Sequence, residues 1–159
     1  MSFLERVGRL VAGSGSTATS DAATLLTQCY VECVQRARQL HRHAEMAPQA
    51  YSGDGLRGLA AAEEAQAHRL REALQAAGVN APAVSTVPPL PGALSHWARI
   101  VQDLQAHRLS TRRLRELAIQ FADTLPTVAN LFDDLCLEEN NHCERLRTLI
   151  ARADPQALD

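Results

Sequence analysis

Residues 131–150 read LFDDLCLEENNHCERLRTLI and have the spacing of one amphipathic helix. At intervals of three and four residues, one stripe of this segment holds Leu135, Glu139, His142, Leu146 and Leu149. The carboxylate and the imidazole lie one turn apart, about 4.5 Å along the axis, on the line that should face a hydrophobic core. Burying them unpaired would cost several kcal/mol each. We therefore expect a partner inside the fold, and a metal ion is the interpretation we favour.

The composition predicts a single all-helical domain. The chain has 159 residues, of which 46% are apolar but only 4% aromatic. Ala and Leu dominate the apolar share, which favours helices over a β-sandwich. A net charge of −2 provides no electrostatic footprint for nucleic acid. No apolar run of about 18 residues is present, and the charged N-terminus lacks a signal-peptide core, so we expect no transmembrane segment and a cytoplasmic location.

Four long segments have helical periodicity. They are expected to cover about residues 20–46, 54–78, 92–123 and 126–152, with Asp54 as the N-cap of the second. The inward line of the third segment is expected to consist of Trp97, Val101, Leu104, His107, Thr111, Leu114, Ala118 and Phe121. Each segment is long enough to form one rod of a helical bundle.

The connection between the second and third helices contains four prolines and predicts no regular element. Its residues, 79–91, would reach about 40 Å when extended, the length of a helix of about 25 residues. The chain therefore predicts a four-helix bundle with one long crossover. We expect a short amphipathic arm and linker at 1–19, the bundle at 20–153 and a tail at 154–159. The arm is expected to pack against the bundle or against a neighbouring subunit.

Each predicted helix carries polar residues near its middle on the inward line. They are Glu32, Glu63 with Gln66, His107, and Glu139 with His142. The middles of the four helices lie at one level of a bundle, so these six side chains are expected to converge. Carboxylates and imidazoles together suit Fe, Mn or Zn rather than Mg or Ca. The pattern predicts a metal site in the bundle centre.

The chain resembles the ferritin-like superfamily, in the branch of bacterioferritins and rubrerythrins, over about residues 20–152. That family places a Glu on the first and third helices and Glu-x-x-His on the second and fourth. The fourth-helix motif is complete here as Glu139-x-x-His142, and the second reads Glu63-x-x-Gln66, with Gln where the family has His. Glu32 matches the first-helix position, whereas His107 stands where the family has Glu. The segment RELAIQFADTLP is also similar to the bacterioferritin helix-turn-helix.

The resemblance implies a non-haem iron protein that oxidises Fe(II) or reacts with O₂ or peroxide. Iron, as a pair or a single ion, would be the cofactor, with Mn or Zn as alternatives. The resemblance assigns as ligands Glu32, Glu63, Gln66, His107, Glu139 and His142. The second helix contains no Met to ligate haem, so no haem is expected. A homo-oligomer is expected, but not the 24-subunit cage, because no fifth helix follows Arg152.

A second hypothesis keeps the fold and abandons the metal. Arg36 lies near the inward line of the first helix and would pair with a carboxylate, filling the site without an ion. Glu32 would then face outward, with Cys33 in the core position. The protein would act as an interaction or scaffold module.

The four cysteines leave a third hypothesis open. They lie inside the helical segments, where a reduced cysteine is usually a small buried apolar residue. Alternatively they bind copper or zinc, since Cys29 and Cys33 are four residues apart and Cys143 adjoins His142. Sequence alone does not show whether the pairs Cys29–Cys33 and Cys136–Cys143 meet.

Overall fold

The computed structural model describes residues 16–85 and 94–153, which form four helices and no strand. The helices are α1 (Ser16–Glu45), α2 (Ala50–Ala76), α3 (His96–Phe121) and α4 (Pro126–Ala153). The predicted all-α four-helix bundle is confirmed. None of these four helices offers an apolar stretch long enough to cross a bilayer. The predicted arm and the predicted tail at 154–159 lie outside the described residues.

The first two helices begin earlier than predicted. Helix α1 starts at Ser16, so residues 16–19 of the predicted linker are already helical. Helix α2 starts at Ala50 after Gln49, whose backbone is extended at the N-cap position. The prediction of Asp54 as N-cap was wrong. Its carboxylate instead pairs with Arg57, at 2.6 Å on the exposed surface of the first turns of the helix.

The start of α3 also differs from the prediction. The helix begins at His96, and the side chain of Ser95 caps it by accepting a hydrogen bond from the Ala98 amide. Trp97, predicted to face inward, is 42% exposed. Ile100 is fully buried and takes the inward position of this turn, which shifts the start of the stripe by three residues.

The chain is arranged as two antiparallel hairpins, α1 with α2 and α3 with α4. The hydrogen bond between Ser52 and His96, at 2.7 Å, shows that α3 starts at the end of the bundle where α1 stops. The connection between α2 and α3 therefore joins opposite ends of the bundle, and residues 86–91 of the predicted crossover lie outside the described residues. Its described part packs Val79 and Ala81 against the core, and the Arg38 guanidinium donates to the Val84 carbonyl.

The described core is divided into two apolar clusters by a polar belt at mid-height. One cluster lies towards the start of α1 and includes Leu26, Leu70 and Phe132. The other lies towards the end of α1 and includes Leu40 and Leu146. Between them every helix contributes polar residues, namely Arg36, Glu63, Gln66, His107, Ser110, Glu139 and His142. Six of the nine buried polar residues in the described part of the chain thus lie at one level, and the other three, His43, Ser52 and Asp103, lie towards the end of α1.

Two glycines of α2 lie close to side chains of α4. A Cβ atom on Gly55 would lie 2.9 Å from Cδ2 of the buried Leu149, whereas one on Gly58 would meet only the end of the flexible Arg145 side chain, at 2.8 Å. Alanine is favoured over glycine within a helix by about 1 kcal/mol. We expect Gly58→Ala to raise the free energy of unfolding by up to about 1 kcal/mol. Gly55→Ala should raise the free energy of unfolding less, or lower it, because overpacking a core costs about 1–3 kcal/mol. Urea denaturation measures both, and equal gains would contradict the close approach.

Candidate metal centre

Four buried side chains from three helices meet in the polar belt. They are Glu63 of α2, His107 of α3, and Glu139 and His142 of α4. One nitrogen or oxygen atom from each lies within 4.8 Å of the corresponding atoms of the other three. Both carboxylates are fully buried, and the imidazoles are 1% and 5% exposed. The arrangement has the size and donor types of a metal site.

The two imidazoles face the two carboxylates through their Nδ1 atoms. His107 Nδ1 lies 2.8 Å from Glu139 Oε2, and His142 Nδ1 lies 3.1 Å from Glu63 Oε1. Each Nδ1 also approaches the other carboxylate, at 3.6 Å for His107 and 3.5 Å for His142. The rings are nearly perpendicular, with centroids 5.5 Å apart. A single small cation between these atoms would be within reach of all four residues.

A guanidinium from α1 closes the opposite side of the carboxylate pair. Arg36 lies 3.0 Å from Glu63 Oε2 and 3.5 Å from Glu139 Oε1. It also donates to Cys33 Sγ at 3.3 Å, and its side chain is only 13% exposed. This is the contact expected if Arg36 compensates the carboxylates. Burial alone would lower the pKa of Arg36, but the charges of Glu63 and Glu139 raise it above its ordinary value.

The contacts set the protonation of the cluster. Burial would raise the pKa of Glu139, but hydrogen bonds from His107 and His142 and the charge of Arg36 hold it well below its ordinary value. Burial would lower the pKa of His142, but the hydrogen bonds and charges of Glu139 and Glu63 raise it to about 9. At neutral pH the cluster therefore contains a carboxylate at Glu139 and an imidazolium at His142.

Two of the six predicted ligands lie outside this group. The carboxylate of Glu32 is directed to Arg113 of α3, and its side chain is 40% exposed. Gln66 is buried, but its amide donates to Glu138 at 3.2 Å and accepts from Cys33 at 3.8 Å. The structure thus brings together four of the predicted residues and engages the other two elsewhere.

A cavity of about 350 Å³ between α1 and α3 adjoins the cluster. Its lining includes Arg36 and His107 next to the cluster, the apolar Leu40 and Leu109, and Arg113. Nε2 of His107 is buried and has no hydrogen-bond partner among the described residues. Oε1 of Glu139 has no hydrogen bond there either, and it lies 3.5 Å from both the Arg36 guanidinium and His142 Nδ1. A metal ion beside the two imidazoles fits this carboxylate, because it would take up an acceptor that makes no hydrogen bond.

The cysteines behave as buried apolar residues. All four are free and buried, and none belongs to the group of potential ligands found among the described residues. Burial raises the pKa of Cys29 to about 11, and it raises the pKa of Cys33 and Cys143 as well. Such thiols stay protonated at neutral pH and are poor ligands, because a thiolate is needed to bind a metal.

One buried polar pair was missed by the sequence reasoning. His43 Nδ1 lies 2.6 Å from Asp103 Oδ2, and Gln39 donates to the other carboxylate oxygen at 2.7 Å. Both partners of the pair are almost fully buried. Asp103 lies one turn before His107 on the same face of α3, so its helical spacing was an available signal. The pair joins α1 to α3 below the centre.

No family model matches the chain, and no curated protein matches it. The four-helix fold and the buried carboxylate–histidine group are compatible with a ferritin-like bundle. The function is therefore inferred from the geometry of the centre.

The raised pKa of His142 predicts that the metal-free protein loses stability at alkaline pH. Because the folded-state pKa, about 9, lies above the ordinary histidine pKa of 6.5, the stabilisation is complete below about pH 6.5 and is lost as the pH rises through 9. We expect a loss of about 3 kcal/mol across this window. Urea denaturation in the presence of a chelator measures it, and His142→Gln should flatten this part of the profile.

His68→Gln is the matched control, because His68 is exposed and lies outside the cluster. In this variant, the free energy of unfolding should depend on pH as it does in the wild-type protein. An NMR titration of the His142 ring in the wild-type protein gives the pKa directly. A midpoint near 6.5 would refute the assignment.

Proposed function

We propose that this protein is a ferritin-like non-haem iron protein whose metal site consists of Glu63, His107, Glu139 and His142. The observation that supports the proposal is the convergence of four potential ligand atoms within 4.8 Å, in a place where all four residues are buried. A buried carboxylate pair is costly unless cations compensate it. A divalent ion would compensate both carboxylates at once and bind both imidazoles.

The donor set favours a first-row transition metal. Two carboxylates and two imidazoles suit Fe(II), Mn(II) or Zn(II), whereas Mg²⁺ and Ca²⁺ prefer oxygen ligands alone. The choice of iron rests on the resemblance of Glu139-x-x-His142 and Glu63 to ferritin-like proteins. Bound Fe(II) would supply the electrons for reaction with O₂ or peroxide.

The surrounding residues would shape the reactivity of the site. The two carboxylates would compensate the charge of the ion, and the two imidazoles, which already contact these carboxylates, would complete its set of protein ligands. The cavity beside His107 offers a small molecule an approach from the face between α1 and α3. The two apolar clusters above and below the centre exclude water along the bundle axis.

A metal-free scaffold is the competing function, and the contact of Arg36 favours it. With Arg36 and His142 positively charged and Glu63 and Glu139 negatively charged, the formal charges of the cluster sum to zero without an ion. The buried charges would then be compensated without a metal ion. Metal analysis distinguishes the two functions.

Two neighbouring glutamates of α4 provide a matched test. Glu139 belongs to the buried cluster, whereas Glu138 pairs with Arg69 and is 42% exposed. After anaerobic loading with Fe(II) and desalting, wild type and Glu138→Gln should retain iron. Glu139→Gln should bind it at least about tenfold more weakly, because a neutral amide is a poorer ligand than a carboxylate. Exposure to O₂ should give a new near-ultraviolet band only in the two that retain iron.

Substoichiometric iron in the wild-type protein after loading would favour the scaffold. Equal retention by Glu138→Gln and Glu139→Gln would place any bound iron elsewhere. If blocking the thiols removed metal while Glu139→Gln kept it, the cysteines would be the ligands.

A further inference from the structure

We propose that Arg36 takes the place of a second metal ion, so that this centre holds one ion where the resemblance allows two. The inference rests on the proposed function and concerns the number of ions and their position. It assigns a positioning role to a residue that the ferritin-like ligand pattern does not include.

Each carboxylate lies between Arg36 on one side and the imidazoles on the other. Glu63 Oε2 faces the Arg36 guanidinium at 3.0 Å, and Glu139 Oε1 lies 3.5 Å from both this guanidinium and His142 Nδ1. Glu63 Oε1 and Glu139 Oε2 make the shortest contacts with the imidazoles, at 3.1 and 2.8 Å. A pair of carboxylates that bridges two cations has this division of its oxygens. Here one of the two cation positions is occupied by a side chain, and the other is the side on which both imidazoles lie.

The charges favour one ion. Glu63 and Glu139 contribute two negative charges, and a guanidinium stays protonated in proteins, so Arg36 contributes one positive charge. With neutral imidazoles, one divalent ion brings the group to a net charge of +1, and two would bring it to +3. The carboxylates are fully buried and Arg36 is 13% exposed, so little solvent is available to offset an excess of charge.

The protein ligands are also too few for two ions. Glu32 and Gln66, the two remaining residues of the predicted set, are held by Arg113 and Glu138 on other sides of the bundle. The central group offers four residues, which is the number that a four-coordinate single-ion site uses. A second ion would have to share the same carboxylates and complete its shell with water.

Arg36 is anchored where it lies. Its guanidinium donates to Glu63 and to Cys33 on the preceding turn of α1. The cavity between α1 and α3, which Arg36 lines, is an open direction for this side chain. If metal binding drove the side chain into this cavity, the second cation position would become free. The number of ions in the wild-type protein therefore tests whether Arg36 stays beside Glu63 and Glu139 when metal binds.

Anaerobic titration with Mn(II), followed by elemental analysis and electron paramagnetic resonance, counts the ions. We expect one Mn(II) per chain in the wild-type protein, with the spectrum of an isolated ion. Arg36→Gln should take up two per chain, a twofold rise, with the spectrum of a coupled pair. Arg36→Lys keeps the charge and should still bind one. Arg38→Gln removes an arginine of α1 that lies outside the cluster and donates a hydrogen bond to Val84 of the crossover, and it should match wild type.

Two ions in the wild-type protein would overturn the inference and leave the proposed function standing. One ion in Arg36→Gln would also overturn it, because Arg36 would not be what excludes the second. No ion in any of these proteins would remove the proposed function and the inference together. If Arg36→Gln does not fold by circular dichroism, the wild-type count and spectrum still decide between one ion and two.

Discussion

The structure depends on the compensation of two carboxylates that lie fully buried between two apolar clusters. Glu63 and Glu139 come from different hairpins, and neither is exposed to water. Their charges are tolerated only because cationic groups from α1 and α4 lie at the same depth. This constraint sets the register of the helices, since a slip of one turn moves a side chain by about 5.4 Å and breaks these contacts. Apolar packing alone would allow several registers, because leucines on successive turns are interchangeable.

The same constraint explains why the centre has two sides. On one side the compensating charge is a guanidinium that cannot lose its proton, and on the other it is the imidazolium of His142, whose pKa is about 9. A metal ion that binds the imidazoles must displace the proton of His142, because a protonated nitrogen has no lone pair to donate. It need not displace Arg36. The exchangeable charge of the centre therefore lies on the imidazole side, next to the ring of His107 that also lines the cavity.

Sequence reasoning reached the fold and the convergence of four residues, because both follow from helical spacing. The stripe predicted Glu139 and His142 on the inward face of α4, and the four prolines predicted a connection without regular structure between α2 and α3. Side chains at the edge of a stripe were harder to place. The orientation of Glu32 is decided by Arg113, which lies 81 positions away in the chain, and that of Gln66 by its contact with Glu138 on α4. The buried pair of His43 and Asp103 likewise joins residues 60 positions apart. Periodicity describes one helix at a time and carries no information on such partners. The metal-ligand roles of all six residues stay predictions.

The centre also joins the two halves of the bundle. The hairpin of α1 and α2 contributes Arg36 and Glu63, and the hairpin of α3 and α4 contributes His107, Glu139 and His142. Polar contacts between Arg113 and Glu32 and between His43 and Asp103 connect the same hairpins above and below. A metal ion would bind residues of both hairpins and so stabilise their association by mass action. Without an ion, Arg36 and the proton on His142 stabilise the association of the hairpins instead. This stabilisation decreases at high pH, because His142 then loses its proton. The fold and the proposed chemistry thus use the same side chains. A metal-binding bundle and a metal-free scaffold would therefore have nearly the same geometry. They differ in what occupies the space between the imidazoles and the carboxylates.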